Sequence, residues 1–455
     1  MPHTKGERKI GFIKLKGGYF GNPIRALVGS FAILITAGTI LLSLPWASTD
    51  WKPLPVIDSL FTATSATCVT GLIVRDTPAQ FSTFGELVIL LLIQFGGIGI
   101  LTFTTLFAAL MGRRIKYKSL NLMKETYGHH PRTSVIDLLK IVVLFTLTIE
   151  LIGAIFLIPS FLKDGGLLRA VYLAVFHGVS AFCNAGFSLL SENLGGHTGD
   201  VVLNIVICSL IVIGGIGFPV LVDIFENRRL SKLNQHSLLV IKVTLWLIVL
   251  GWAAIYFFES RLNPAFWQLP GHERLLSAFF QSITARTAGF NTLNIGAMTT
   301  PALMVLICLM FIGGSPGGTA GGIKTTTFAV AAKSALVFLR GRRDVQLAGR
   351  RVSQASQFRA SGVAFLVIML LIFSTMLMCA ISNISLMQGA FEVTSAFGTV
   401  GLSTGITFGL TSGQKIIIIL LMFVGRIGPV SLALSLGFRE KADLVARPEM
   451  DVLTG

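Results

Sequence analysis

The chain has 455 residues, of which 53% are hydrophobic and only 13% are charged. Soluble domains carry about 25% charged residues, so this composition excludes a soluble globular protein and predicts a membrane protein. The formal net charge of +16 would suggest nucleic acid as a partner for a soluble chain. For a membrane chain, the basic residues must first be placed relative to the bilayer.

The apolar segments follow a fixed order along the chain. A membrane-crossing helix needs roughly 20 mostly apolar residues. Eight segments reach that length, the sixth with an interruption: 24–45, 84–111, 135–159, 201–224, 238–258, 300–339, 361–383 and 414–436. A shorter apolar stretch lies inside each successive pair: 57–67, 168–183, 274–286 and 388–398. The order long, short, long therefore occurs four times, which predicts an internal repeat.

Three residue positions recur in each repeat. A glycine follows each short stretch: Gly71, Gly186, Gly289 and Gly401. A phenylalanine lies ten residues before each glycine: Phe61, Phe176, Phe279 and Phe391. A second glycine comes 24 to 28 residues after it: Gly96, Gly214, Gly313 and Gly425. Any one glycine could serve ordinary helix packing, but the shared spacing favours a fourfold repeat.

The basic residues predict the orientation. Most of the 37 Lys and Arg residues lie before the first long segment, between repeats and in the C-terminal tail, so both termini are expected in the cytoplasm. The first 22 residues lack the apolar region of a signal peptide. The predicted parts are a cytoplasmic N-terminal segment at 1–22, repeats at 23–112, 134–225, 226–340 and 341–438, a cytoplasmic loop at 113–133 and a cytoplasmic tail at 439–455.

With this orientation, the short stretches enter from outside as re-entrant loops. Non-helical backbone at membrane depth occurs where protein buries it or where it lines a water-filled path, and a ring of backbone carbonyls can replace the hydration shell of a cation. We therefore predict a selectivity filter with a monovalent cation at the carbonyls near the four glycines. Its residues are Val69, Thr70, Gly71, Asn184, Ala185, Gly186, Thr287, Ala288, Gly289, Thr399, Val400 and Gly401. None is acidic, which argues against a calcium-type pore.

The fourth filter segment, Gly398-Thr399-Val400-Gly401, is close to the potassium-channel sequence until Leu402. With this motif and the four repeats, the chain resembles the Trk/Ktr/HKT superfamily of potassium transporters over essentially its whole length, and most of all the KtrB-type membrane subunit. The resemblance implies an all-α polytopic membrane protein with eight transmembrane helices and four re-entrant pore helices around a pseudo-fourfold pore. It also implies potassium uptake across the bacterial inner membrane, with K⁺ bound at the carbonyls near the four glycines and selectivity favoured by glycine at Gly71.

A segment rich in Gly and Pro interrupts the apolar stretch 300–339 and cannot stay helical. It fails the phosphate-loop pattern, because Ile323 separates glycine from lysine. In the family the equivalent loop, here 313–327, is the intramembrane gate, and an arginine lies beside it. The resemblance thus implies these gate residues: Gly313, Gly314, Ser315, Pro316, Gly317, Gly318, Thr319, Ala320, Gly321, Gly322, Lys324 and Arg426. The alternatives are a static loop, and an Arg426 paired with Glu392 or Asp223.

Further expectations concern partners and competing functions. The resemblance implies a homodimer in the membrane lipid, and a ring of KtrA-type RCK subunits binding ATP, ADP or a cyclic dinucleotide on the basic cytoplasmic face. K⁺ is the expected substrate, Na⁺ an activator or co-substrate, and no covalent cofactor or nucleic acid is expected. A strict Na⁺-coupled symporter is the alternative. An enzyme is disfavoured, since the seven histidines show no metal-binding spacing.

Four polar residues near the predicted pore are left with open roles. Asn184 and Asn291 flank the second and third filter segments and either hold the loops or serve as turn residues. Arg286 either supports the third pore helix or lies at the outer mouth, and Glu150 has no assigned role in transport.

Overall fold

The computed structural model describes residues 23–99, 135–342 and 344–428. As predicted, this part of the chain is predominantly helical. Residues 23–99 contain α1 (Pro23–Leu42), α2 (Val56–Thr67), α3 (Thr77–Gln80) and α4 (Thr83–Ile98). Residues 135–227 contain α5 (Val135–Phe161), α6 (Leu167–Phe182), α7 (Val201–Ile216) and α8 (Phe218–Asn227).

The second half of the described chain continues the pattern. Residues 235–339 contain α9 (Gln235–Leu262), α10 (Pro264–Gln268), α11 (Gly271–Thr284), α12 (Thr300–Phe311) and α13 (Thr325–Leu339). Residues 346–427 contain β1 (Gln346–Leu347), β2 (Arg350–Arg351), α14 (Gln354–Ile381), α15 (Leu386–Gly398) and α16 (Ser412–Ile427).

Several helices are suited to crossing a bilayer. In the described residues α1, α5, α9 and α14 are each long and apolar enough, and α7 with α8 would make a fifth span. Helices α4 and α16 begin where the spans 84–111 and 414–436 are predicted, and the remainder of both spans lies outside the described residues. The protein is therefore a multi-pass membrane protein.

The short helices α2, α6, α11 and α15 occupy the four short apolar stretches. Local sequence explains where some helices begin: α15 and α16 each start with a capping box, Ser385 with Gln388 and Thr411 with Gln414. In this motif the two side chains satisfy backbone amides that no helical carbonyl can reach. The start of α15, which leads into the fourth glycine loop, is thus fixed by its own sequence.

The predicted span 201–224 is not one straight helix, because α7 and α8 meet at a 97° bend. The bend is at Gly217, whose φ of +100° suits glycine and few other residues. A Cβ there would lie 2.6 Å from the Pro316 carbonyl oxygen, so the close approach of another segment also requires glycine. Gly99 and Gly428 have similar φ values, +92° and +89°, immediately after α4 and α16.

A two-stranded hairpin is the exception to the all-α expectation within the described residues. Strand β1 pairs antiparallel with β2 through a two-residue turn at Ala348 and Gly349. Both turn residues have positive φ, +48° and +80°, which is the requirement of a type I′ turn. The hairpin lies at the start of the predicted repeat 341–438.

Burial separates central from peripheral helices. The long helices carry many side chains that are more than half exposed, such as Leu151, Ile155 and Phe373, as expected for surfaces that face lipid. The short helices bury most side chains from their middle to their C-terminal ends, including Phe176 and Phe391. The short helices therefore form the centre of the molecule and the long helices its perimeter.

Candidate ion pathway

The four predicted filter glycines meet at the centre of the molecule. All have positive φ, between +69° and +94°, and a Cβ added to any of them would collide with a backbone carbonyl of another repeat. Gly71 faces the carbonyl of Ala185, Gly186 that of Ala288, Gly289 that of Val400, and Gly401 that of Thr70. Each repeat thus contacts the next and the last contacts the first. This closed arrangement is called the four-glycine ring below.

The backbone leading into the ring has one positive φ at the same place in all four repeats. Two residues before each glycine lies a non-glycine residue with φ between +50° and +73°: Val69, Asn184, Thr287 and Thr399. Such residues cost of order 1–3 kcal/mol each and cluster at functional sites. The structure thus brings all twelve predicted filter residues together, with one strained residue in each segment that the sequence did not reveal.

Hydrogen bonds from the four short helices α2, α6, α11 and α15, called the pore helices below, hold these loops. The amide just before the glycine donates to a serine carbonyl five residues back in three repeats: Thr70 to Ser65, Ala185 to Ser180 and Val400 to Ser395, at 2.7–2.8 Å. In the third repeat Ala288 donates to Thr284, only four residues back, at 2.9 Å.

The third repeat is therefore one residue shorter at this point, and this corrects the repeat alignment. Phe280 is fully buried, whereas the predicted Phe279 is only partly buried. Phe280 therefore occupies the place that Phe61, Phe176 and Phe391 have in the other repeats, and the fixed spacing of ten residues fails in this repeat.

A cavity of about 500 Å³ opens onto the four-glycine ring and is lined by all four glycines. Two carboxylates, Asp76 and Glu192, also line it. Negative charge at a cleft raises the local concentration of cations. Sequence reasoning missed both residues, although each follows its filter glycine by five or six positions, a spacing that could have drawn attention to them.

The Gly-rich segment forms a buried loop between α12 and α13. Its two ends run side by side: the Gly313 amide donates to the Ile323 carbonyl at 2.9 Å and the Thr325 amide to the Gly314 carbonyl at 3.0 Å. Residues 325–327, predicted as part of the loop, are instead the first turn of α13. Residues 313–324 are called the intramembrane loop below.

This loop packs against the ring on the side away from the cavity. A Cβ on Gly321 would collide with the Thr399 side chain, which precedes the fourth filter glycine. The Ser315 amide donates to the Gly215 carbonyl at 3.0 Å, and the Thr319 amide to the Gly214 carbonyl at 3.2 Å. Because the cavity is lined by the glycines and residues after them, the loop and the cavity lie on opposite sides of the ring.

Arg426 connects the intramembrane loop to two helices. From the end of α16, its guanidinium donates to the Thr319 carbonyl in the loop and to the carbonyls of Gly96 and Gly97 in α4. In the loop itself, Lys324 Nζ donates to the Ala320 carbonyl at 2.7 Å. Arg426 and Lys324 therefore both brace the loop in the position described.

The two acids considered as partners for Arg426 have other hydrogen-bond donors. The Asp223 carboxylate accepts from the side chains of Asn227 and Asn234, at 2.7 and 2.9 Å. The Glu392 carboxylate accepts from residues 403–407. Both acids fix local loops.

The polar residues with open roles also find places. Asn184 is one of the strained positive-φ residues, and the Asn291 side chain donates to the Leu293 carbonyl at 3.0 Å, so both shape turns. Arg286 is buried and donates to the Gly313 carbonyl at 3.3 Å, which favours support over an outer-mouth position. Glu150 is buried and accepts from Gln94 at 3.1 Å.

Comparisons with known proteins decide the family. The model of the TrkH family, described as a cation transport protein, matches residues 30–440. The chain belongs to this family. The resemblance to its KtrB-type membrane subunits is confirmed by relatives. The Ktr system potassium uptake protein B of Bacillus subtilis is 38% identical, covering 95% of this chain and 97% of its own.

Two more relatives and one solved structure agree with this family. The Ktr system potassium uptake protein B of Vibrio alginolyticus is 35% identical, covering 97% of this chain and 96% of its own. The potassium/sodium uptake protein NtpJ of Enterococcus hirae is 36% identical, covering 91% and 93%. The crystal structure of the potassium transporter TrkH from Vibrio parahaemolyticus shares the fold, with a TM-score of 0.71, 18% identity, and coverage of 94% of this chain and 86% of that one.

Proposed function

We propose that this family member takes up potassium ions across the bacterial inner membrane through the four-glycine ring, which acts as the selectivity filter. The observation that carries this proposal is the closed order of contacts, in which each filter glycine faces a backbone carbonyl of the next repeat. The relatives named as potassium uptake proteins support the choice of ion.

The ring suits a monovalent cation that sheds water. Carbonyl oxygens replace its hydration shell without a fixed charge that would hold it too strongly. Helices α2, α6, α11 and α15 end just before the filter residues, and a helix C-terminus carries partial negative charge that favours a cation. Asp76 and Glu192 in the outer cavity would concentrate cations before they enter.

The intramembrane loop then acts as the gate. It packs against the ring opposite the outer cavity, on the path that an ion leaving the filter must take. The positive side chains of Lys324 and Arg426, held at the loop, oppose cations near it. Opening requires the loop to give up its hydrogen bonds to the end of α7 and to Arg426 at the end of α16.

We further propose that the protein has eight transmembrane helices in four repeats around a pseudo-fourfold pore, with both termini in the cytoplasm. The protein is a transporter rather than an enzyme, works as a homodimer, and is regulated by a nucleotide-binding RCK ring on its basic cytoplasmic face. The name of the relative NtpJ, a potassium/sodium uptake protein, supports a role for Na⁺ as activator or co-substrate.

The test is potassium uptake in a bacterium that lacks its own uptake systems. We expect the wild type to restore growth at low potassium, and Gly→Ser at Gly71, Gly186, Gly289 or Gly401 to raise the KM for K⁺ and reduce K⁺/Na⁺ preference. A side chain at such positive φ costs about 1–3 kcal/mol, which corresponds to roughly ten- to hundredfold in binding.

Gly362→Ser is the matched control, because Gly362 lies in α14 with nothing within 4 Å of an added Cβ. Unchanged K⁺ affinity and preference in all four ring variants would contradict the filter. A fixed ratio of Na⁺ to K⁺ transported, measured with both ions in proteoliposomes, would favour the strict symporter instead.

A further inference from the structure

One position of the pore helices is occupied by a different buried polar residue in each repeat. It is the residue directly after the buried phenylalanine once the third repeat is realigned on Phe280. The four residues are Thr62, His177, Gln281 and Glu392, all at most 2% exposed. Burying such groups costs free energy unless they are hydrogen-bonded, so their partners indicate what they do.

Glu392 binds the chain that continues outward from the fourth filter segment. Its carboxylate accepts from the Ser403 hydroxyl at 2.5 Å, from the Thr404 amide at 3.0 Å and from the Thr407 hydroxyl at 2.9 Å. Ser403 lies two residues after the filter glycine Gly401. Glu392 therefore ties the pore helix before the filter to the segment after it.

His177 makes the equivalent link in the second repeat. Its Nε2 is 2.9 Å from the Ser188 hydroxyl, and Ser188 lies two residues after Gly186. Its Nδ1 is 2.8 Å from the Leu173 carbonyl oxygen. A carbonyl only accepts, so Nδ1 carries the proton, and Nε2 accepts from Ser188.

Gln281 makes a third link by a different chemistry. With its side-chain amide oriented so that the oxygen faces the segment after the filter, Gln281 accepts from the backbone amides of Thr292 and Leu293, both at 3.3 Å. These residues follow the third filter glycine by three and four positions. In the first repeat Thr62 is shorter, and Asp58, one turn earlier in α2, instead accepts from Arg75 at 2.9 Å.

We propose that His177, Gln281 and Glu392 are positioning residues that hold the outer ends of the second, third and fourth filter segments, called filter strands below. By holding them, these residues set the preference for K⁺ over Na⁺. This inference rests on the proposed filter and goes beyond it. Each strand is held at its inner end by the pore-helix hydrogen bonds and at its outer end by one of these side chains. A strand held at both ends keeps its carbonyls at a fixed spacing, whereas a strand loose at one end adapts to a smaller ion.

The test removes the partner hydroxyls and leaves the pore helices intact. Ser188→Ala and Ser403→Ala are assayed in proteoliposomes for Rb⁺ uptake with and without competing Na⁺. We expect each to lower the Rb⁺/Na⁺ preference roughly three- to tenfold, the effect of one hydrogen bond, with little change in maximal Rb⁺ rate. Ser403→Thr restores the hydroxyl and is expected to restore the preference.

Ser30→Ala is the matched control, since the Ser30 hydroxyl donates only within α1, to the Leu27 carbonyl, and it should retain wild-type preference. A lower melting temperature of the two serine variants with unchanged ion preference would overturn the proposal and leave these residues structural. Absence of Rb⁺ uptake by the wild type would overturn the proposed function and this inference together, so the two failures can be told apart.

Discussion

At the scale of single residues, Arg426 shows how the fold accommodates a charge at membrane depth. Burying a charge there is costly, and such residues are usually functional. Its guanidinium reaches carbonyls of α4 and of the intramembrane loop, and these belong to neutral backbone groups. The contact thus stabilises one position of the loop.

We expect Arg426→Gln to loosen the intramembrane loop and raise basal flux. Hydrogen bonds from a charged group are worth about 1.5–3 kcal/mol, which would shift the loop toward release by roughly ten- to hundredfold. The measurement is the initial rate of Rb⁺ uptake in proteoliposomes without any cytoplasmic partner. Arg169→Gln, at an exposed position, is the control, and an equal or lower rate in the Arg426 variant would contradict the gating role.

At the scale of elements, the second glycine of three repeats sets how closely helices approach. A Cβ at Gly96, Gly214 or Gly425 would collide with the carbonyl of Thr67, Phe182 or Phe397. These carbonyls belong to the last turn of a pore helix, four residues before the filter glycine. In the third repeat the corresponding Gly313 meets the Gly321 carbonyl instead, so there the intramembrane loop replaces a helix end.

Gly425→Ala tests this contact. We expect the free energy of unfolding to fall by roughly 1–3 kcal/mol, since extra methyl groups in a packed site force backbone shifts. Thermal unfolding in detergent measures the change. Gly362→Ala places the same methyl group in open space and should be neutral or slightly stabilising, because alanine favours helix. Equal melting temperatures for both variants would refute the packing role.

At the scale of the whole molecule, an ion pair helps to close the ring of repeats. Asp58 in α2 is buried and lies 2.6 Å from Lys415 in α16 and 2.9 Å from Arg75. Asp58 and Lys415 are 357 residues apart in the chain. The pair therefore joins the first repeat to the last, as does the contact of Gly401 with Thr70.

We expect Lys415→Met to destabilise the protein markedly. Removing one partner of a buried pair costs about 3–5 kcal/mol. Arg75 offsets part of this cost, because it also contacts Asp58. Lys163→Met is the control, because Lys163 is 75% exposed and 3.9 Å from Asp200. Thermal unfolding and Rb⁺/Na⁺ preference are measured together, and a melting temperature as high as that of the control would show that the pair does not hold the ring closed.

The sequence predicted the positions that recur in all four repeats and missed the places where one repeat differs from the others. The twelve residues proposed as the filter were located from spacing, because each repeat has glycine at one place. The one-residue shift at Phe280 broke that spacing and depends on the hydrogen bond from Ala288 to Thr284. The bend at Gly217 depends on the carbonyl of Pro316, which lies about a hundred residues away in the chain.

The sequence by itself determined the membrane setting, the order of long and short helices and the position of the glycine loops. Bilayer thickness fixes how many apolar residues a span needs, and glycine is favoured where the backbone has positive φ and another segment leaves no room for a Cβ. Only the tertiary structure decided which carbonyl each glycine faces, where Arg426 binds, and that His177, Gln281 and Glu392 each contact residues that follow a ring glycine. Those outcomes depend on contacts between segments that are distant in the chain or out of register, which no local pattern specifies.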